Sequence, residues 1–490
     1  MMLRVLLTIG AVQVITMLVL LMRTKTLALM LGPEYVGVMA VIDKLLAVVA
    51  QTVSLSLPFA AVKFLPECWA AGPAQFRDLF ARMRNVSMAL ILAATVVALL
   101  VTMFRPATWG TALLPYQDVL LVSILGLPTI ALIPFLQNAI AGRMEQYRSM
   151  VVGLLHAIVV AGAVVGIWWH GLAGYYAAYA VLGTVLVLAT MRMVIRGTSA
   201  PAPAGAVQPQ FALGLPAAIW RFSGALLILT FLSPFAALFV HYRLLSEHGA
   251  ETAGWMQAAI GISLSVRAVL GSAHAVFLTP NVNRGGSPED RMAWANNFQA
   301  MLCLIAGLVL PPLLLFPDLA IYILYSSAFS PGATFVVVFV LTEILILLSG
   351  TYQSLVVALD RMPFHVATNL VAQLLVVGMA YLLVGPLGIL GAGLAVLVAP
   401  VFMYLSTMIF LHRSFGIRMP GRVAARSGWL LFCVVATGFT GALCQGLSWE
   451  SLLLKAGAYL LAVVGFALLL TDDERRRMRK IIAGWRARWA

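Results

Sequence analysis

Gly-Pro-Glu-Tyr-Val-Gly-Val-Met at 32–39 decides the fold, because a related stretch, Gly-Ala-Glu-Thr-Ala-Gly-Trp-Met, recurs in the second half of the chain at 249–256. Other landmarks recur in the same order, with offsets between 213 and 218: Arg143-Met144 as Arg361-Met362, Phe64-Leu65 as Phe277-Leu278, and the glycine segment at 171–174 as the segment at 385–388. The shared order and the nearly constant spacing indicate an internal repeat. In a membrane chain, such a repeat is typical of transporters, in which two similar helix bundles move about a central site.

The composition predicts a membrane protein. Of the 490 residues, 62% are hydrophobic and 10% are charged, and the mean hydropathy is +1.00, whereas about a quarter of the residues of a soluble protein are charged. Apolar runs long enough to cross about 30 Å of hydrocarbon as helix lie near 3–30, 36–65, 86–106, 117–140, 150–169, 173–193, 214–241, 253–279, 297–316, 333–357, 365–384, 387–411, 428–446 and 451–470. The sequence therefore predicts an all-α integral membrane fold with about fourteen transmembrane helices.

The runs group as six, six and two, which predicts the domain organisation. An N-terminal six-helix lobe at 1–196 precedes a Pro/Ala/Gly-rich cytoplasmic linker at 197–213, and a second six-helix lobe spans 214–412. Two additional transmembrane helices occupy 428–470. The tail at 471–490 is rich in Arg with Ile and Trp at helical spacing, which favours a basic amphipathic helix on the inner membrane surface.

The distribution of positive charge predicts the orientation. With both termini in the cytoplasm, 23 of the 31 Lys and Arg residues fall in the inner segments, as the positive-inside rule requires. This bias also explains the net charge of +14, so no nucleic-acid partner is expected.

No sequence motif indicates an enzyme or a cofactor. The four cysteines are scattered without a C-x-x-C spacing, and no metal, nucleotide or nucleophile motif stands in a supporting context. The loops are too short for a soluble catalytic domain. We expect no enzymatic activity, no catalytic residue, no bound metal and no cofactor.

Arg267 is the clearest charged residue within an apolar run. It lies thirteen residues after Gly254, close to the predicted membrane midplane, and shares a helical face with Ser263, Gly271 and His274. Because a charge in the bilayer costs on the order of 3 kcal/mol, such a residue is a functional candidate. We expect Arg267 to face water or substrate; the alternative is a structural ion pair with a buried acid.

Further polar residues lie in the first two runs and in the tenth. Arg23 and Asp43 are at comparable depth on consecutive helices, so we expect a salt bridge between them, and Lys44 and Gln51 continue the polar side of the second helix. Glu343 and Asp43 are the only acidic residues in the interior of the runs. Glu343 is either a proton-coupling group or the partner of Arg267.

Several segments are similar to a known family. Leu-Gly-Pro-Glu-Tyr-Val-Gly at 31–37 and Ala-Ala-Val-Lys-Phe-Leu-Pro-Glu at 60–67 resemble the start of bacterial oligosaccharide-lipid flippases, which belong to the multidrug/oligosaccharidyl-lipid/polysaccharide exporter superfamily. The segments at 142–144, 360–362 and 385–392 resemble the connections before its fifth, eleventh and twelfth helices. The resemblance covers the first twelve predicted helices.

The resemblance implies two pseudo-symmetric six-helix lobes that open to one side of the bacterial inner membrane at a time. It implies a polyprenyl-pyrophosphate-linked oligosaccharide as substrate, flipped to the outer leaflet for surface polysaccharide synthesis, with membrane lipids and a polysaccharide polymerase or assembly complex as partners of a monomer. The cavity residues expected to bind the pyrophosphate and the sugar are Arg23, Lys44, Gln51, Arg267 and His274, and the ion-coupling candidates are Asp43 and Glu343.

Three other functions stay open at this stage. A lipid II flippase also has fourteen helices and a cationic cavity. A multidrug cation antiporter of the same superfamily usually has twelve helices and an acidic cavity. A membrane glycosyltransferase or polymerase would normally carry a large outer loop, which this sequence lacks.

Overall fold

The computed structural model describes residues 2–143, 145–196, 214–274, 278, 281–282, 287–444, 448–471 and 476, and these residues contain helices and no strand. The α-helices are α1 Met2–Val53, α2 Leu57–Ala71, α3 Pro73–Phe104, α4 Gln117–Ile124, α5 Leu127–Gly142, α6 Gln146–Gly162, α7 Ile167–Arg196, α8 Ala217–Ala273, α9 Pro288–Leu315, α10 Pro317–Leu324, α11 Val336–Ala358, α12 Met362–Phe415, α13 Gly421–Leu443 and α14 Trp449–Leu468. Short 3₁₀ helices span Pro106–Trp109, Thr111–Tyr116, Ala163–Gly166 and Ser327–Phe335.

Local sequence explains where these helices begin. Pro stands in the first turn of α2, α3, α5, α9 and α12, where its missing N–H costs no hydrogen bond. At the start of α9, the Ser287 hydroxyl accepts from the Asp290 N–H at 3.2 Å, and the Ser287 N–H donates to the Asp290 carboxylate at 3.2 Å. This reciprocal capping satisfies two backbone donors that would otherwise lack a partner.

The long helices are broken, and the breaks set the number of membrane crossings. Among the described residues, nine helices are long and apolar enough to span a membrane, and a pair bent by 43°, Thr111–Ile124 with Leu127–Gly142, makes a tenth. Four of the nine contain non-helical residues, at Gly32, at His170 and Gly171, at Gly249 and at Gly388. The membrane segments that contain these breaks are Ile15–Val53, Tyr147–Arg196, which includes α6 and α7, Ala217–Ala268 and Met362–Phe415. Each is 39 to 54 residues long, which at 1.5 Å per residue is about 58 to 81 Å, or roughly twice the bilayer core. Counting each half as one crossing gives fourteen, which confirms the predicted all-α, multi-pass membrane fold.

The breaks also show the internal repeat in the backbone. Gly32 has φ 73° and ψ −179°, and Gly249, its counterpart in the second copy of the repeat, has φ 86° and ψ 170°. Gly171 has φ 56° and ψ −136°, and Gly388, which lies at the same offset in the numbering, has φ 56° and ψ −129°. The predicted match of 171–174 with 385–388 is therefore shifted by three residues, because the residue with the conformation of Gly171 is Gly388 and not Gly385. Backbone with these positive φ values is accessible to glycine at little cost.

The chain divides into two compact units. The first contains Met1–Ala258, Ile323–Phe329 and Asn369–Ala395, and the second contains Ala259–Tyr322, Ser330–Thr368 and Val396–Ala490. The prediction of two six-helix lobes at 1–196 and 214–412 rests on the internal repeat and not on compactness. The two compact units do not test it, so it stays a prediction. The predicted linker at 197–213 and the predicted tail, apart from Thr471 and Arg476, lie outside the described residues.

The core of the first unit is built on α2, α3 and α5. The rings of Phe76, Phe80 and Phe135 stack nearly parallel, with centroid separations of 6.0 and 5.8 Å, and each of these side chains is at most 3% exposed. Offset stacking of this kind adds to the favourable free energy of burying the rings.

The two repeat segments contact each other within the first unit. A Cβ added to Gly37 would lie 2.6 Å from Gly254 N and closer still to the Ala250 carbonyl oxygen, and a Cβ added to Gly254 would meet the carbonyl group of Pro33. In the register of the repeat, Ala250 corresponds to Pro33 and Gly254 corresponds to Gly37. The contact is therefore reciprocal, as expected where a local two-fold axis relates two copies of a motif.

In the second unit, α13 and α14 pack on α9. A Cβ at Gly441 of α13 would meet the backbone of Leu314, and a Cβ at Gly307 of α9 would meet the ring of Phe466. The buried guanidinium of Arg426 donates to the Leu469 carbonyl at 2.7 Å, which satisfies an acceptor at the carboxyl end of α14. Close contacts at Gly441 and Gly307 thus hold α13 and α14 against α9. The Arg426 hydrogen bond joins α13 to the end of α14.

Candidate functional site

Arg23 lies in the first half of α1, where α7 holds its guanidinium group. Arg23 Nη2 donates to the Tyr175 hydroxyl at 2.6 Å, and the guanidinium carbon lies 5.4 Å from the centre of the same ring. Arg23 Nε is buried without a hydrogen-bond partner among the described residues. The cation is thus oriented by a neutral hydroxyl and a ring face, so its positive charge is not neutralised at that contact.

Asp43 is bound to the next tyrosine. The Tyr176 hydroxyl donates to Asp43 Oδ1 at 2.8 Å, and the rings of Tyr175 and Tyr176 meet edge to face at 5.3 Å. No Arg23 nitrogen lies within 4.0 Å of an Asp43 oxygen in the described structure, so the expected Arg23–Asp43 salt bridge is wrong. The physical reason is that consecutive tyrosine hydroxyls of α7 each take one of the two charged groups.

Lys44 and Gln51 follow Asp43 along α1. Lys44 is half-buried and Gln51 is exposed. His241 of α8, 4% exposed, lies in the same unit and contacts the Gln257 side chain at 3.3 Å. The group formed by Arg23, Asp43 and Lys44 has two cations and one carboxylate, so its formal charge is positive.

Arg267 of α8 forms an ion pair with Glu343 of α11. Arg267 Nε lies 3.2 Å from Glu343 Oε2, and the two side chains are 45% and 9% exposed. This confirms the alternative in which Glu343 is the partner of Arg267. Glu343 Oε2 has no hydrogen-bond partner among the described residues, so the contact has ion-pair distance without hydrogen-bond alignment. The result is an asymmetric pair, with a carboxylate held inside the protein and a guanidinium group open to its surroundings.

His274 lies seven residues after Arg267 and directly follows the last residue of α8. Its Nε2 is 3.4 Å from the Ser354 hydroxyl of α11, and its ring meets Phe298 edge to face at 5.7 Å. Ser263, which was expected to share an open face with Arg267, is only 1% exposed. The polar face of α8 is therefore open at Arg267, half-buried at His274 and closed at Ser263.

The predicted residues fall into two groups, one in each compact unit. The first unit holds Arg23, Asp43, Lys44 and Gln51, and the second holds Arg267, His274 and Glu343. A single cavity formed by both groups stays a prediction. Among the described residues, no cluster of three or more His, Cys, Asp or Glu side chains has the geometry of a metal site.

Sequence reasoning missed the tyrosines of α7. Tyr175, Tyr176 and Tyr179 stand within five residues of an apolar run, and the Tyr179 hydroxyl lies 3.2 Å from His156 Nε2. A hydroxyl buried in a membrane helix needs a partner, so this cluster was a usable signal. The sequence could not tell which charged residue each hydroxyl would contact, because Tyr175 and Tyr176 are far in the sequence from their partners on α1.

The fold is that of known transporters. No protein-family model matches the chain, and no curated protein matches it in sequence. A solved structure of the lipid II flippase MurJ in an inward closed conformation is similar with a TM-score of 0.67 and 11% identity, over 93% of this chain and 97% of that one. An inward-facing multidrug resistance MATE family transporter of the MOP superfamily is similar with a TM-score of 0.53 and 14% identity, over 85% and 95%. An outward-facing structure of a multidrug resistance MATE family transporter of the MOP superfamily is similar with a TM-score of 0.52 and 15% identity, over 86% of this chain and 96% of that one. The chain therefore has the multi-pass helical fold shared by MurJ and the MATE transporters.

Proposed function

We propose that the protein is a flippase that moves a polyprenyl-pyrophosphate-linked oligosaccharide from the inner to the outer leaflet of the bacterial cytoplasmic membrane, for surface polysaccharide synthesis. The observation that carries the proposal is the excess of cations over carboxylates within the membrane-spanning helices that hold the candidate site. Within the apolar runs of those helices, the carboxylates are Asp43 and Glu343, and the cations include Arg23, Lys44 and Arg267. A substrate with a pyrophosphate group supplies the anion that such a site requires.

The contacts of Arg23 support this role. Its guanidinium group donates to a tyrosine hydroxyl, and no carboxylate oxygen lies within 4.0 Å of it in the described structure, so no direct ion pair competes with an anionic ligand. Guanidinium donors bind phosphate oxygens well because the donors are fixed in a plane. We assign Arg23 and Lys44 to the pyrophosphate, with Gln51 as a donor and acceptor for the sugar.

The Arg267–Glu343 pair supplies a means of coupling transport to protons. Since Glu343 is 9% exposed and Arg267 is 45% exposed, an anionic ligand reaches the arginine more easily than solvent reaches the carboxylate. Protonation of Glu343 removes the competing negative charge and leaves Arg267 available to the pyrophosphate. Loss of the proton restores the ion pair and releases the ligand, so the protonation state of Glu343 would control substrate binding at Arg267. Asp43 is the second ion-coupling candidate, and His274 extends the polar face towards the sugar.

A lipid II flippase is the second candidate. The observation in its favour is the similarity of fold to MurJ across nearly the whole length of both chains. Lipid II and a polysaccharide repeat unit share the polyprenyl-pyrophosphate chemistry that the cations would recognise, so only the sugar distinguishes them. A multidrug cation antiporter is less suited to a site with excess positive charge, and an enzyme is not proposed.

The proposal includes an arrangement in the membrane. Both termini lie in the cytoplasm, the six-helix lobes at 1–196 and 214–412 alternate access to the substrate, and the linker at 197–213 joins them. The protein acts as a monomer beside a polysaccharide polymerase or assembly complex. Both the charge distribution of the loops and the internal repeat support this arrangement.

The test uses two bacterial strains, one that lacks its repeat-unit flippase and one depleted of its lipid II flippase. Wild-type protein is expected to restore surface polysaccharide in the first strain and not growth of the second. Lys44→Ala combined with Arg267→Ala should abolish the rescue at equal protein level. Arg413→Ala, at an exposed position near the end of α12, is the matched control and should leave rescue intact.

Each outcome separates the alternatives. Rescue of the depleted strain alone would establish the lipid II function instead. Normal polysaccharide from the Lys44→Ala, Arg267→Ala variant would contradict the cationic site.

Proton coupling is tested with Glu343→Gln. Wild-type transport should rise as the pH falls, whereas transport by the variant should not depend on pH over the same range.

A further inference from the structure

A cavity of about 660 Å³ lies where α6 begins and α7 ends, outside the candidate site. Its lining residues are Arg148 of α6 and Ala189, Arg192, Met193 and Arg196 of α7. Three of these five residues are arginines. The transport mechanism proposed above does not use any of them.

The four residues from α7 form one face of that helix. Positions 189, 192, 193 and 196 have the spacing i, i+3, i+4 and i+7, which places their side chains in a single stripe. Arg192 and Arg196 are like charges at i and i+4, an arrangement that destabilises a helix by about 0.2–0.5 kcal/mol. In the described part of the chain neither has a carboxylate oxygen within 4.0 Å. A bound anion would remove this repulsion.

A buried arginine links the two helices that line the cavity. The Arg143 side chain is 3% exposed and donates to Glu145 Oε1 at 2.6 Å and to the Val194 carbonyl of α7 at 3.1 Å. The other oxygen of Glu145 accepts from Arg148 Nη1 at 3.0 Å. Glu145 is thus shared by two cations, and its contacts tie the start of α6 to the end of α7. The cavity keeps a net positive charge.

An apolar track continues from the arginines along the membrane. Val181, Val185 and Leu188 of α7 are 66%, 61% and 52% exposed. From Val181 to Arg192 the helix rises about 16 Å, which is roughly the thickness of one leaflet. Leu155, seven residues after Arg148 and on the same side of α6, is 43% exposed. A cationic head site above one leaflet of apolar surface has the dimensions of a lipid.

The other half of the repeat lacks one of these arginines. In the register that the backbone gives for α7, Arg192 corresponds to Ile409 and Arg196 to Arg413. Ile409 is 54% exposed, which is ordinary for a lipid-facing residue. Because the second copy of the repeat has no arginine at that position, the fold alone does not require Arg192.

We propose that this cavity binds the phosphate head group of an anionic membrane lipid, with an acyl or prenyl chain along the apolar track of α7. Arg148, Arg192 and Arg196 donate to the phosphate oxygens, and Arg143 and Glu145 position Arg148. A phosphodiester of a bulk phospholipid and the pyrophosphate of a polyprenyl lipid share this chemistry. The site does not depend on which lipid the protein transports.

The test is native mass spectrometry of the full-length protein with four probes: phosphatidylglycerol, polyprenyl pyrophosphate, phosphatidylcholine and inorganic phosphate. Wild type should bind one phosphatidylglycerol or one polyprenyl pyrophosphate at this site. Arg192→Ala combined with Arg196→Ala should weaken that binding about 25-fold, at roughly fivefold for each cation near the membrane surface. The probe whose binding falls identifies the source of the phosphate.

Matched variants keep the result interpretable. Arg413→Ala, at the repeat-equivalent position, should bind as wild type does, and Arg192→Lys combined with Arg196→Lys should keep most of the affinity. Unchanged thermal unfolding is expected for all variants, because none of the three mutated arginines is buried. An equal loss in Arg413→Ala, an equal loss for phosphatidylcholine, or binding of inorganic phosphate as tight as that of the lipids would each overturn the proposal.

Discussion

Replacing Gly37 by alanine should open the contact between the two repeat segments. The new Cβ would lie 2.6 Å from Gly254 N and closer to the Ala250 carbonyl oxygen, about 0.8 Å or more inside an ordinary van der Waals separation of 3.5 Å or so. Both obstacles are backbone atoms, so the two helices must separate. Overpacking of this kind costs about 1–3 kcal/mol, although alanine by itself favours the helix by about 1 kcal/mol over glycine. A loss of stability in the variant would therefore come from the close contact and not from helix propensity.

The assay is thiol labelling of a buried neighbour. Val36 is 8% exposed, and Val36→Cys, in a background where Cys68, Cys303, Cys433 and Cys444 are alanine, reports on opening. A cost of about 1–3 kcal/mol corresponds to about 5- to 150-fold more of the open form, and labelling follows that population when opening and closing are fast.

The reciprocal geometry gives the control and the refutation. Gly254→Ala should accelerate labelling by a similar factor, because its Cβ meets the carbonyl group of Pro33. Gly378→Ala should have no effect, since nothing lies within 4 Å of a Cβ there. Labelling that is unchanged in both Gly37→Ala and Gly254→Ala would refute the close contact and the internal two-fold relation based on it.

Three further predictions concern stability, each measured by thermal unfolding of the purified protein. Tyr175→Phe should cost about 1.5–3 kcal/mol, because it removes a 2.6 Å bond to a charged group; the exposed Tyr381→Phe is the control, and an equal shift in both would contradict the role of the hydroxyl. Arg267→Gln should destabilise more than Glu343→Gln, by about 1–3 kcal/mol, because it leaves a 9% exposed carboxylate unpaired while the reverse change leaves a 45% exposed cation; the opposite order would contradict this account of the pair. Gly388→Ala should cost about 1–3 kcal/mol, since φ 56° with ψ −129° is strained for a residue with a Cβ, and a shift no larger than that of Gly378→Ala would show that the backbone relaxes freely.

Much of the fold could be predicted from the sequence, because hydropathy and the glycine landmarks are local signals. The apolar runs give the number of crossings, and Gly32 and Gly249 mark turns that the structure places at the same residues. The register of the second pair was wrong by three residues, because the segment at 385–388 has a glycine at each end and only the backbone conformation distinguishes Gly388 from Gly385.

The candidate site was less predictable, because its contacts join distant parts of the chain. The Arg267–Glu343 pair was an expected alternative, since Glu343 is one of only two acids in the interior of the apolar runs. The separation of Arg23 from Asp43 was not expected, because their comparable depth on consecutive helices favoured a direct pair. The two tyrosine hydroxyls that intervene come from α7, and no local pattern connects them to α1.

The central claim is that cations within the membrane carry a lipid-linked pyrophosphate across it. The most direct measurement is translocation of a fluorescent polyprenyl-pyrophosphate oligosaccharide in proteoliposomes containing purified wild type, Lys44→Ala with Arg267→Ala, or Arg413→Ala. The account predicts translocation by wild type and Arg413→Ala and none by the double variant. Equal translocation by all three proteins, or none by correctly folded wild type, would contradict it.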